Sequence, residues 1–420
     1  MKIKITNAVI KAAALLALST INSQLSIYAQ GSLTPPGAPA PTMKTLDQLD
    51  AKLEKRTPIS SAPFTINSPG SYYLTANVTV SSGNAITVVA NNVTLDLNGF
   101  TIASTENPAA AGCAIAVGSS SAVTNVSILN GFISGGVINN GGIYSGPGFG
   151  YGVYAPGGNP AVNVRVSGVS VYGCRYYGIF LLYNNTSVQS CNVNTVGSYG
   201  IDAQSVSDSV VLNCGTGTAL TATTANNCYA VLSGSGDGIF SDTAINCYGS
   251  TPSGHGVYAA QSATCCVGTS GSGYGLWADG GANNCFGEAS SGTGLYAGEA
   301  NNCDGSTFGG SGYGIYAATA SNCRGSSNGG SYGLYADSAQ NCEGVSQTSD
   351  GVHTTQIAVG CYGVSYGGAA FDGLYTSGIA MGCSGFSDSG TGLGALIAEV
   401  CHGATTSGTA FAVTHNVNSY

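Results

Sequence analysis

The stretch Ser311–Gly344 reads SGYGIYAATASNCRGSSNGGSYGLYADSAQNCEG and states one phrase twice: G-Y-G-I-Y-A then N-C-R-G, and S-Y-G-L-Y-A then N-C-E-G. The same phrase extends in both directions. GDGIF, GHGVY, GYGLW, GTGLY, GYGIY, SYGLY, SDGVH and FDGLY follow one another from Gly236. Each is followed by a cysteine word, and Cys247, Cys266, Cys285, Cys303, Cys323, Cys342, Cys361, Cys383 and Cys401 fall 18 to 22 residues apart. A fixed period of this length is the signature of a solenoid, in which each repeat buries its apolar face only against its neighbours.

The type of solenoid follows from what the phrase contains. A leucine-rich repeat needs an L-x-x-L-x-L line, and a left-handed β-helix needs strict six-residue units. Neither is present. Short Val-, Ile- and Thr-rich words separated by Gly and Asn, such as AITVVANNVTLDLNGFTI and VNVRVSGVSVYG, are strand signals. The expected fold is therefore all-β: a single-stranded right-handed parallel β-helix with coils of about 18–22 residues, right-handed because parallel crossovers nearly always are.

VTLDLNGFTI (Val93 to Ile102) and YYGIFLLYNNTSVQSCNV (Tyr176 to Val193) resemble coils of right-handed parallel β-helix repeat proteins of the pectate-lyase-like superfamily. The resemblance spans roughly residues 60–415. It implies an exported bacterial protein and a fold, and it specifies no chemistry.

Organisation along the chain is read as follows. A basic start with the apolar run Ala12 to Leu18 makes 1–29 an expected signal peptide. Residues 30–42 are a Pro-rich linker, and Leu46, Leu49 and Leu53 place a short amphipathic capping helix at 43–58. The β-helix occupies 59–420, with irregular coils over 59–235, regular ones over 236–405 and a C-terminal cap at 406–420. The expected location is secreted or on the cell surface, with no membrane span.

Charge narrows the partners. Without residues 1–29 the chain has seven basic against nineteen acidic residues, and beyond Arg56 its only cations besides histidine are Arg165, Arg175 and Arg324. No basic stripe exists to meet phosphates, so nucleic acid is excluded. The expected partner is neutral or cationic, foremost a neutral polysaccharide or cell-surface glycan, and no cofactor is called for.

Stacking turns the repeat into columns, about 4.8 Å from rung to rung. Ile239, Val257, Leu276, Leu295, Ile315, Leu334, Val352 and Leu374 form an aliphatic column expected inside. Phe240, Tyr258, Trp277, Tyr296, Tyr316, Tyr335, His353 and Tyr375 form an outward row. Such a row either stacks on itself or serves as a platform for sugar rings; Tyr258, Trp277, Tyr296, Tyr316 and Tyr335 are the glycan-binding candidates. The nine cysteines form a third column. Zinc needs four ligands converging on a point, which a line cannot supply, so no metal site is expected. Buried unpaired thiols are favoured over disulfides, because parallel side chains hold their Cβ atoms slightly too far apart. Asn246, Asn284, Asn302, Asn322 and Asn341 precede cysteines, at corners that call for left-handed backbone.

Catalytic candidates are few. Asp237 and His255 stand one coil apart and resemble the Asp and G-H-G words of polygalacturonases, without the paired Asp-Asp and Arg-x-Lys that complete those sites. Asp350 and Asp372 also fall on successive coils, a spacing near that of a retaining glycosidase pair. Tyr199-Gly200-Ile201-Asp202 resembles the Tyr-Gly-Phe-Asp of mannuronan epimerases, with Gln204 where a histidine would stand. Asp242, Asp279 and Asp337 share a column on non-adjacent coils, too far apart for one calcium ion. Two functions are carried forward: a non-enzymatic structural, surface or adhesion solenoid that touches neutral glycans, and a polysaccharide lyase or glycoside hydrolase on the same fold.

Overall fold

In the computed structural model, residues 55–118, 122–155, 161–368 and 370–420 are described, the side chain of Tyr183 excepted. The expected all-β parallel β-helix is borne out: among the described residues every pairing but one is parallel, and about 18 turns stack into a single ladder. The exception is a small antiparallel hairpin, Ile138–Asn140 with Ile143–Ser145. Among the described residues there is no helix. The proposed capping helix is not shown: Leu46, Leu49 and Leu53 lie outside the described residues, and Thr57–Ile59 is already a strand paired with Gly70–Leu74. The signal and linker segments also lie outside. The tail adds one more strand, Thr409–Val417, on Thr391–Glu399.

Each coil has three strand faces. Early coils build them from separate short strands, such as Phe64–Ile66, Gly70–Leu74 and Val78–Val80. Later coils fuse the first two into a long bent strand, as in Ile315–Ser321, and keep a short third one, as in Arg324–Ser327. Bends appear as register shifts, for example between Ala278 and Gly281. Corners are made by left-handed residues, with Asn246, Asn284, Asn302, Asn322 and Asn341 at φ between 51° and 53°. Asparagine tolerates this region because its short amide can bond locally.

The interior changes along the axis. On the third face one column runs Ile102, Ile133, Val171, Val193, Val211, Ala230 and then glycine at Gly249, Gly268, Gly287 and each later rung. Beyond Ala230 the facing corner closes onto the short strand. A Cβ on Gly268 would sit 2.0 Å from the Gly275 carbonyl oxygen, and one on Gly287 2.2 Å from that of Gly294. The regular coils therefore enclose one aliphatic side chain each, two small ones, a cysteine, a glycine and usually a hydroxyl. Hydroxyls on the third face bond to backbone: Thr251 donates to the Gly236 carbonyl and Ser270 to that of Gly254, both at 2.7 Å, while the buried Ser241 and Thr354 hydroxyls on the first face have no partner.

Candidate functional site

The predicted columns lie in register. Ile239 pairs with Val257, Leu276, Leu295 and so on, all fully buried. The next residues form the outward aromatic row from Phe240 through Tyr258, Trp277, Tyr296, Tyr316, Tyr335 and His353 to Tyr375.

Ring geometry decides what this row can offer. Phe240–Tyr258, Tyr296–Tyr316, Tyr316–Tyr335 and Tyr335–His353 stack with centroids 5.0, 5.3, 5.0 and 5.4 Å apart and planes within 15°. Trp277 is turned across the stack, at 63° to Tyr258 and 53° to Tyr296. It is held there by Asp279, which accepts its indole N–H at 2.6 Å and the Tyr258 hydroxyl at 2.8 Å. Within the stacked runs the ring faces cover one another, leaving edges to solvent. A sugar needs a ring face to lie on, so the interior of the row is poorly suited as a platform.

The cysteine column is buried and unpaired. Cys247, Cys266, Cys285, Cys303, Cys323, Cys342, Cys361, Cys383 and Cys401 are all free thiols no more than 3% exposed. Cys228, which the repeat did not reveal, adds a rung before them, since the N–H of the residue after each cysteine bonds the previous cysteine's carbonyl. The thiols donate to backbone carbonyls, as Cys303 does to Ala282 at 3.2 Å and Asn301 at 3.3 Å. Burial likewise holds the upstream thiols of Cys113 and Cys174 up at about 12. Cys265 alone is exposed. Among the described residues no group of three or more His, Cys, Asp or Glu is placed to hold a metal ion.

The position between the paired glycines proves to be a capping column. Asp237 accepts the His255 backbone N–H at 2.7 Å, and Thr293 that of Tyr313 at 3.2 Å. Asp350 accepts the Asp372 N–H at 2.7 Å. Asp237 and His255 are thus adjacent, but the contact runs from carboxylate to backbone, and burial lowers the His255 imidazole below its usual range.

Asp350 does more. Its second oxygen lies 2.8 Å from His353 Nδ1, and both side chains are largely buried. Asp372 on the next coil is pushed up to about 6 by burial, with the Asp350 charge adding to the rise. Asp350, His353 and Asp372 form one cluster beneath Tyr332, whose ring lies 4.4 Å from the imidazole.

A second constellation lies where the aromatic row is broken. Between Phe180 and Phe240 the same register positions are Asp202 and Thr221. Three rung spacings, ~14 Å, therefore separate the two phenyl rings. Each has a stacking partner on its far side: Tyr154 for Phe180 and Tyr258 for Phe240. Toward the gap Phe240 has none, whereas Phe180 is also stacked by Tyr177 of its own coil, with centroids 4.8 Å apart. Phe240 is 37% exposed, whereas the other members of the row from Tyr258 to Tyr375 are half-buried. The gap is a cavity of about 530 Å³, floored by Asp202 and Thr221 and rimmed by Tyr177, Tyr199, Thr218 and Asp237. Asp202 is only 8% exposed, its Oδ1 has no hydrogen-bond partner, and burial pushes its carboxyl up to about 6. Two acids and no basic side chain line this notch.

Comparison with known proteins gives a fold-level answer. No family model matches the chain, and no curated protein does. Among solved structures it is similar to the A-module of the Azotobacter vinelandii mannuronan C-5 epimerase AlgE4, at 13% identity and TM-score 0.27, over 84% of this chain and 89% of that one. It is also similar to full-length tailspike protein 2 of the Escherichia coli O157:H7 bacteriophage CAB120, at 11% identity and TM-score 0.24, over 79% of this chain and 39% of that one. Likenesses this loose carry no chemistry from those proteins to this chain.

Proposed function

We propose that this chain is an exported β-solenoid acting as a surface or adhesion element, and that it holds glycans in the notch between Phe180 and Phe240. Export rests on the signal-like start. The observation that supports glycan binding is the break in the aromatic row, because it frees the Phe240 ring face beside a polar floor, opposite the stacked Phe180–Tyr177 pair. Sugar sites combine such apolar faces with a few directed polar groups. The acidic lining and the scarcity of cations favour glycans without acidic groups.

Affinity electrophoresis and calorimetry against a panel of neutral and acidic polysaccharides test this reading. Phe240→Ala should weaken binding by roughly tenfold or more, the loss of one stacking contact of order 1 kcal/mol or above. Trp277→Ala and Tyr316→Ala, which lie outside the notch, should leave it unchanged. No binding to any glycan, or loss only with Trp277→Ala, would reject the notch.

A second reading, hydrolysis or lysis of a polysaccharide, is favoured by one observation: the Asp350–His353 contact beside the protonatable Asp372. An oriented imidazole next to a carboxylic acid is a pairing suited to general acid–base work. Reducing-end or unsaturated-product release from plant and algal polysaccharides, abolished by Asp372→Asn, would establish it; absence of product from every polymer tested would remove it.

A further inference from the structure

The notch at Asp202 has a feature that a neutral sugar answers only in part: the sugar's hydroxyls can donate to the carboxylate but bring no counter-charge. Its floor carboxylate is nine-tenths buried with one oxygen unpartnered, and Asp237 stands on the rim. No arginine or lysine lines the cavity. A buried carboxylate without a counter-charge is costly when ionised, and an opposite charge brought within a few ångströms removes that cost. The open Phe240 face that borders the notch attracts cations as well as C–H surfaces. Every electrostatic element here is complementary to positive charge on a ring-shaped ligand.

Resting on the glycan reading above, we infer that the notch selects amino sugars: a hexosamine ring with a free ammonium group, seated against Phe240 with its nitrogen over Asp202. The ammonium supplies the ion pair and the hydroxyls bond Thr221 and the rim. An N-acetylated ring has no charge to offer, and its added acyl group must share the space of the carboxylate. A uronic acid brings like charge to Asp202 and Asp237.

Binding then involves proton release. Free Asp202 holds its proton up to about pH 6, and the ammonium ligand requires the ionised form. Affinity for an amino sugar should therefore climb as pH rises through about 6 and fall again where the amine itself loses its proton. The other titratable groups facing this carboxyl are Tyr177, Tyr199 and Asp237, with His255 behind Asp237.

Calorimetry with the full chain, using glucosamine oligomers, N-acetylglucosamine oligomers and cello-oligomers of equal length between pH 4.5 and 8.5, tests this. The glucosamine oligomer should bind roughly tenfold more tightly than either at pH 7, one favourable ion pair's worth, and only its affinity should be bell-shaped in pH. Asp202→Asn should erase both the preference and the rising limb. Equal affinity for the three oligomers, or a preference retained in a folded Asp202→Asn protein, overturns amino-sugar selection while leaving the glycan notch standing. Failure of all three to bind overturns both. Should Asp202→Asn not fold, the pH profile of the unaltered chain decides alone.

Discussion

The wide coils before Ala230 and the thin coils after it solve the same packing problem in opposite ways. Between Ile102 and Val211 the third face fills the interior with branched side chains. From Gly249 onward it withdraws the side chain and lets backbone meet backbone. The lesson is that a solenoid can keep one register while changing its bore. The notch lies at the changeover: the coils carrying Asp202, Thr221 and Phe240 are those whose third-face residues are Val211, Ala230 and Gly249.

The comparison breaks most severely where bulk is forced into a thin coil. Gly287→Val would drive its Cβ into the Gly294 carbonyl with no space to yield, beyond the ~1–3 kcal/mol of ordinary overpacking; loss of the cooperative melt, read by circular dichroism, is expected. The reverse change in a wide coil, Ile133→Ala, should cost ~2–5 kcal/mol through transfer and cavity terms and leave the fold intact. Denaturant titration with an unchanged slope would show this. If Gly287→Val melted like the parent chain, backbone-to-backbone packing would be refuted.

Two smaller effects sharpen the picture. Asp202 sits above its unfolded pKa, so the folded chain binds more protons than the unfolded one between about pH 4 and 6, and its contribution to stability is lost as pH rises through that window. Asp202→Asn should accordingly raise the melting temperature at pH 7.5 and leave it nearly unchanged at pH 4. The smallest effect is expected at the thiols. Cys303→Ser keeps a donor for the Ala282 and Asn301 carbonyls and should shift stability by about 1 kcal/mol or less, measured under identical reducing conditions.

Much of this was legible in the sequence because columns repeat. The aliphatic, aromatic, cysteine and asparagine positions each recur in the phrase at Ser311–Gly344, and each lies in one line of the structure. The glycine two residues after each cysteine was equally regular, in words such as C-F-G and C-R-G, but its meaning depends on which backbone faces it across the coil. The notch was illegible for a different reason. Phe180, Asp202, Thr221 and Phe240 keep the repeat's spacing, at 22, 19 and 19 residues, but an aspartate and a threonine at the row position do not disclose the cavity that their smaller side chains leave. Asp350 and His353 were both visible, yet only the bend of the coil brings carboxylate and imidazole within 2.8 Å.

The glycine column has a consequence for the length of the molecule. Rungs that meet through backbone at this column, and that enclose the same few side chains elsewhere, have nearly interchangeable interiors, so a whole coil can be gained or lost without designing a new core. Removing residues 276–294 would bring Gly275 directly before Leu295, a join that repeats the existing Gly-to-aliphatic step. The thin half behaves as an extensible rod whose reach is set by copy number, while the wide half, where each coil fits only its own neighbours, fixes where that rod begins.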